Sequence, residues 1–254
     1  EFLHYAQGLG ADKIATGHYV RSKEVAGKVQ LLKGLDPEKD QSYFLYGLNQ
    51  EQICSALFPI GDLEKPNVRD RAEKLGFDIF DKKDSTGICF IGERDFKEFL
   101  QQYIPAQPGI IVTSSGSKVG DHEGLMYYTL GQRKGLGIGG GYGDGKGAWY
   151  VLDKDLENNE LIVGQGHDHD GLYQKCLTAS DLHWISGEAP NSENLKAKIR
   201  YRAQDATCRI TELNNTDISV EFEEPRFAIA PGQSVVFYSE NICLGGAIID
   251  KAFN

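Results

Sequence analysis

The sequence predicts an α/β portion followed by mostly β-structure, and three observations carry that expectation. A helix-turn-strand rhythm opens the chain at residues 2–18. Short strand patterns replace it from Gly109 onward, and after Gly166 turns recur at the spacing of a small barrel or sandwich. The chain has 254 residues, room for two or three domains of about 100–200 residues each and for cores that need no disulfide staples. Hydrophobic residues make up 40% and charged residues 25%, the globular average, which argues against disorder, collagen-like repeats and coiled coil.

Each element has its own signal. Phe2-Leu3-His4-Tyr5-Ala6-Gln7-Gly8-Leu9-Gly10 places apolar residues at helical spacing and stops at glycine. A turn and a strand ending in Thr16-Gly17-His18 follow, and ligands of α/β sheets collect at such carboxyl edges. Residues 29–35 read as a second strand and residues 36–41 as an exposed polar turn, before the apolar run Tyr43-Phe44-Leu45-Tyr46. Helices are expected over 50–57 and 65–75, the latter with Pro66 in its first turn and Gly76 as its stop. A third carries Phe96, Phe99, Leu100 and Tyr103 at i, i+3, i+4 and i+7. Residues 131–147 contain nine glycines, which excludes a rigid regular element. Beyond them, Asn214-Asn215, Glu224-Pro225 and Pro231-Gly232 punctuate an all-β region, with a domain boundary near residue 167.

No apolar run approaches the roughly 18 residues of a membrane span, and no signal-peptide pattern opens the chain. Cys54, Cys89, Cys176, Cys208 and Cys243 are odd in number, widely spaced and without CxxC, so a disulfide framework, a zinc knuckle and a thiol redox protein are disfavoured and a reducing, cytoplasmic compartment is expected. The net charge of −10 argues against nucleic-acid binding through overall electrostatics but leaves room for a local basic surface.

Cys54, Cys176, Cys208 and Cys243 read as buried packing residues. Cys89 lies between Gly87 and Gly92, near Lys82, Lys83 and Arg94 and ahead of a helix, a setting that can favour a thiolate; it is a reactive thiol or a structural one. The segment Gly131-Gln132-Arg133-Lys134 is a mobile loop or hairpin, or a nucleic-acid contact; a nucleotide fingerprint fits poorly because a strand follows it. Alternation over 195–202 would put Lys196, Lys198, Arg200 and Arg202 on one face of a strand. That face is either solvated, with acidic neighbours on the next strand, or a phosphate-binding surface. His167 and His169 with Asp168 and Asp170 lack the partner ligands of a metal site nearby in sequence.

Taken together, Ala15-Thr16-Gly17-His18-Tyr19, residues 34–45 (Gly-Leu-Asp-Pro-Glu-Lys-Asp-Gln-Ser-Tyr-Phe-Leu), Phe58-Pro59-Ile60-Gly61, residues 85–92 (Ser-Thr-Gly-Ile-Cys-Phe-Ile-Gly) and residues 131–137 (Gly-Gln-Arg-Lys-Gly-Leu-Gly) resemble the tRNA 2-thiouridylase family, in order across the chain. The resemblance implies an ATP-dependent sulfurtransferase that adenylates C2 of the wobble uridine and replaces its oxygen with persulfide sulfur. It implies the remainder of a PP-loop, adenine-nucleotide hydrolase-like domain with a helical appendage over 1–95, a small mostly-β central domain over 96–166 and a C-terminal β-barrel over 167–254. Cys89 matches the persulfide cysteine, Gly17 an ATP-site position, and His18, Lys39, Asp40, Gln41, Arg200, Tyr201 and Gln233 tRNA contacts. ATP with Mg²⁺, tRNA, and a cysteine desulfurase or sulfur-relay protein follow as implied cofactor and partners.

The family's SGGxDSS pyrophosphate loop, an Asp and a second cysteine precede the matched region, and this sequence contains none of them. Glu1 is therefore expected to lie inside the nucleotide-binding domain, leaving a fragment inactive alone. The alternative is a non-catalytic RNA-binding module from a shortened chain.

Overall fold

The computed structural model describes residues 1–82, 96–139, 147–190, 195–214 and 216–254, with residues 96–98 by backbone alone. Two compact units result. One comprises Glu1–Lys82, Lys175–Glu224 and Pro231–Asn254, the other Lys83–Gln174 and Pro225–Ala230. Among the described residues no helix is long and apolar enough to cross a membrane.

The first unit opens with α1 (Phe2–Gly8) and β1 (Ile14–Ala15). β2 (Val20–Val25) and β3 (Lys28–Lys33) form a hairpin whose two-residue turn, Ala26-Gly27, has φ of 51° and 77°. Positive φ at both turn positions matches the twist of the flanking strands. Sequence reading found the second strand and missed the first. Arg21-Ser22-Lys23-Glu24 carries no apolar alternation because β2 is an exposed edge of its sheet.

α2 (Gln50–Cys54) starts in a reciprocal capping box between Asn49 and Gln52. It stops short of the expected residue 57 because Ala56–Leu57 become β4, which pairs in parallel with β1, Ile14 opposite Ala56. α3 (Lys65–Lys74) begins with Pro66 in its first turn and ends before Gly76 at φ 75°, as the sequence predicts.

The last strands of this unit are β9 (Tyr173–Trp184), β10 (Lys196–Lys198), β11 (Ala206–Leu213), β12 (Ile218–Phe227), β13 (Ser234–Ser239) and β14 (Ile242–Phe253). Their order is β13-β10-β11-β12-β9-β14, and pairing of β13 with β14 closes a six-stranded barrel. Leu177, Ile218, Phe222, Val235 and Phe237 are all but fully buried, and each such apolar side chain contributes about 1.5–3 kcal/mol. The β2–β3 hairpin joins the same sheet through β14, with Leu31 opposite Cys243 and Leu32 opposite Ile242. Val20, Leu31, Tyr43, Ile53, Val236 and Tyr238 then share one core with Cys243, so the early chain and the barrel are built around common apolar contacts.

The second unit contains α4 (Phe96–Gln101), β5 (Gly109–Thr113), β6 (Lys118–His122), β7 (Trp149–Asp155) and β8 (Glu160–Gln165). The sheet order is β6-β5-β8-β7, with β5 and β8 parallel. Ile111, Val119, Leu125, Val151, Leu161 and Val163 fill its core. At Gly131 (φ 77°) a Cβ would stand 2.6 Å from the Cβ of Ala228, so only glycine fits there. Residues 140–146 of the glycine-rich segment lie outside the described residues.

Candidate nucleic-acid interface

The loop after β3 departs from the exposed turn the sequence predicts. Asp36 and Asp40 are 7% and 6% exposed, because each carboxylate organises backbone that would otherwise lack partners. Asp36 Oδ1 accepts from Glu38 N at 3.0 Å and its Oδ2 from Lys65 N at 2.9 Å. Asp40 Oδ1 accepts from Gly34 N and Ser42 N, both at 3.1 Å, and its Oδ2 from Ser42 Oγ at 3.0 Å. Gln41 clamps the preceding strand edge, its Oε1 accepting from Tyr19 N at 2.9 Å and its own N–H donating to Tyr19 O at 3.1 Å. Gly34 makes this possible, since a Cβ there would lie 2.5 Å from Tyr19 O.

The basic strand is corrected in two respects. Regular pairing covers only Lys196–Lys198, and residues 199–202 turn away, so Arg200 and Arg202 are not strand residues. Leu195, Ala197 and Ile199 do face the core, but the opposite face is not uniformly solvated. Lys196 is exposed, whereas Lys198 is covered, its Nζ 3.5 Å from Asp40 Oδ2 and 3.8 Å from Asp205 Oδ1. Lys33 pairs with Asp205 and lies 4.4 Å from the Tyr238 ring centroid; Tyr238 hydroxyl and Ser42 Oγ are 3.2 Å apart. Two lysines and two aspartates thus neutralise one another beneath the loop. Lys33 was legible as an inward residue, sharing the alternating face of Val29 and Leu31, although sequence reasoning singled out neither it nor Asp205.

Beside this network an aromatic step reaches solvent. Phe44 is 57% exposed and its ring centroid is 4.4 Å from that of Tyr201; Tyr43 meets Phe44 edge-on at 5.5 Å, and the Arg202 guanidinium lies 5.9 Å from the Tyr201 centroid. Burial pushes the Tyr201 hydroxyl up, with the Arg202 charge opposing it, and Lys39, Asp36 and Asp40 also act on it. Arg200 is partly desolvated, which lowers its pKa, while the Tyr43 hydroxyl, pushed up to about 12 chiefly by burial, acts in the opposite direction. Tyr43 hydroxyl also donates to Ser234 O at 2.9 Å, fixing the residue after the exposed Gln233.

Thr16-Gly17-His18 leaves the carboxyl end of β1. Gly17 is exposed, and a Cβ on it would meet nothing within 4 Å. His18 Nδ1 contacts Thr16 Oγ1, and burial holds the imidazole below its usual range. The hydrogen bonds of Gln41 and the Asp40–Lys198 pair therefore link, one to the next, residues 17–19, 39–42 and 198–201, stretches far apart in sequence.

Other expectations fare differently. Cys89 lies outside the described residues. Cys208 and Cys243 are buried and their thiols pushed up to about 12 by desolvation, but Cys54 is exposed, because α2 buries Ile53 and turns its neighbour outward. Gln132 uses its side chain within its own turn, accepting from Thr129 N and donating to Lys134 O. His167 stacks on Phe227 and His169 accepts from Gly171 N; among the described residues no group of three or more His, Cys, Asp or Glu is placed to hold a metal ion.

Comparison with known proteins places this architecture. Residues 1–93 match the family described as the tRNA methyl transferase HUP domain, residues 97–165 its PRC-barrel domain, and residues 174–249 the aminomethyltransferase beta-barrel domain. The chain is 57% identical over 252 residues to the tRNA-specific 2-thiouridylase MnmA of Idiomarina loihiensis, covering 98% of this chain and 68% of that one. It is 58% identical to the proteins of that name from Salmonella typhimurium, over 98% of this chain and 68% of the relative, and Hydrogenovibrio crunogenus, over 100% and 67%. A HUP domain, a PRC-barrel domain and a C-terminal β-barrel in this order define a transferase that modifies tRNA. The domain descriptions and the relatives' names differ in the group transferred, and the identity along the whole chain decides between them: the chain belongs to the tRNA-specific 2-thiouridylase family.

Proposed function

We propose that this protein is an ATP-dependent tRNA sulfurtransferase that makes 2-thiouridine at the wobble position, with residues 1–95 serving nucleotide and tRNA, residues 96–166 forming the central domain and residues 167–254 the tRNA-binding barrel. One observation carries the reading: Gln41 hydrogen-bonds Tyr19 and Asp40 pairs with Lys198, which brings the neighbouring His18, Lys39, Arg200 and Tyr201 to one region, where Phe44 is an exposed aromatic against Tyr201 and Arg202 lies over the Tyr201 ring. Cations meet phosphates and aromatic faces meet bases, which is what an RNA surface requires. Gln233, held next to Ser234, extends it.

On this reading Asp40 positions the loop from below, since its carboxylate is spent on Gly34, Ser42 and Lys198, while Lys39, Arg200 and Tyr201 touch RNA. Gly17 suits the nucleoside end of ATP: its open backbone at a strand's carboxyl edge lets a planar or ribose group approach closely. ATP, carrying Mg²⁺, supplies the chemistry that makes the C2 oxygen of uridine a leaving group. Cys89 carries the sulfur as a persulfide, delivered by a cysteine desulfurase or a relay protein. Its terminal sulfur forms the new bond to C2 as the C2–O bond breaks, and a second thiol then forms a disulfide with Cys89 as the Cys89 S–S bond breaks.

The test is peptide mass spectrometry after incubation with a cysteine desulfurase and cysteine. A gain of about 32 Da at Cys89 is expected. No gain, or a gain at Cys54 alone, removes Cys89 from sulfur transfer and leaves an RNA-binding module as the better description.

A further inference from the structure

We infer that Phe44 is the outer face of a stacking platform for an unpaired nucleobase, with Tyr201 beneath it. The inference rests on the tRNA reading above and adds a residue, and a ligand chemistry, to it. Phe44 lies in the apolar run Tyr43 to Tyr46, yet the short 3-10 turn Ser42–Phe44 divides it. Tyr43 is buried at 5% exposure while Phe44 stands at 57%. Leaving a phenyl ring in water forgoes the stabilisation that burial gives, so the turn's geometry must be held by something else. It is held by the Asp40 carboxylate, which accepts from both Ser42 N and Ser42 Oγ, and by the Tyr43 hydroxyl on Ser234 O. Both anchors hold the two residues that precede Phe44 without using its ring.

The ring is also oriented. Its centroid is 4.4 Å from Tyr201 with planes inclined by 41°, and Tyr43 braces it edge-on at 84°. A base stacking here would therefore meet a surface already immobilised, which spares the cost of ordering it on binding. Charge complements the same step: Arg202 is exposed and lies against the Tyr201 ring, and the charges of Lys39 and Arg202 both act on the Tyr201 hydroxyl. An aromatic face flanked by cations suits a single-stranded nucleotide, base on the ring and phosphate on the cations, better than it suits a duplex, whose bases offer no free face.

The experiment uses the whole chain and a hairpin RNA with 2-aminopurine in its single-stranded loop, whose fluorescence falls on stacking. Wild type and Phe44→Trp are expected to quench the probe. Phe44→Leu, equally apolar but without a π-face, is expected to lose the quench and to bind about 5- to 100-fold more weakly, with an unchanged salt slope. Quenching and affinity retained in Phe44→Leu overturn the inference while leaving the tRNA reading intact. Loss in Phe44→Trp together with a changed circular dichroism spectrum shows a structural residue and overturns it as well. A wild-type chain that binds no hairpin RNA overturns the tRNA reading and this inference with it.

Discussion

Lys198 Nζ stands 3.5 Å from Asp40 Oδ2 across 158 residues of sequence, with the two side chains 12% and 4% exposed. That pair ties the first strand of the basic segment to the loop that presents Lys39 and Gln41. Replacing Lys198 by Met leaves Asp40 and Asp205 with one cation between them, Lys33, and uncompensated buried charge is costly. Lys198→Met is expected to lose about 3–5 kcal/mol in urea unfolding, and Lys198→Met with Asp40→Asn to lose less than the sum of the single changes. Additive losses would show that the two groups do not interact.

How far the site was legible depends on how local its causes are. Helices α1 and α3 and the all-β character of the barrel region declared themselves through period, a first-turn proline, glycine stops and turn residues, all properties of contiguous residues. The Asp36–Gln41 loop did not, because its burial comes from Lys65, Tyr19 and Lys198, which stand 29, 22 and 158 residues from the loop residues they bond. Period placed Lys198 and Lys196 on one face correctly; only the fold shows that one is covered and the other is not. Cys54 was misread for a comparable reason, since a five-residue helix buries one side chain and leaves the next outside.

Arg200 gives a prediction that separates phosphate contact from packing. Arg200→Ala is expected to weaken tRNA binding and to reduce the slope of log affinity against log salt by about 0.9 if one phosphate contact is lost. An unchanged slope with weaker binding would assign Arg200 to packing against Tyr43.

Two glycines within the same unit should respond oppositely to alanine. At Gly61 a Cβ would lie 1.7 Å from Val20 O, so the backbone must move, whereas at Gly17 nothing stands within 4 Å. Gly61→Ala is expected to cost about 1–3 kcal/mol, seen as a midpoint lowered by about 3–10 °C in thermal circular dichroism. Gly17→Ala should melt as wild type does while impairing ATP-dependent thiolation.

Thiol accessibility sets a third contrast. Desolvation pushes Cys208 and Cys243 up to about 12, so at neutral pH essentially none of either is thiolate, while Cys54 is exposed. Iodoacetamide at neutral pH should therefore label Cys54 readily and spare Cys208 and Cys243 until the chain is unfolded. Rapid labelling of either buried thiol in the native protein would contradict the closed core around Tyr238 and Phe222.

His18 predicts the sign of one pH effect. Burial lowers its pKa below the ordinary 6.5, and its Nδ1 is already engaged with Thr16 Oγ1. Between the lowered value and 6.5 the unfolded chain binds a proton that the folded chain does not, so folding stability rises with pH across that window. The contribution is fully present above 6.5 and is lost as pH falls through the folded value. His18→Gln should remove this dependence, making stability between about pH 7.5 and 5.5 flatter than in wild type. Chemical unfolding at the two pH values measures it, and parallel curves for the two proteins would mean that the imidazole titrates as it does in water, with no desolvation at the edge where Gly17 and Tyr19 flank it.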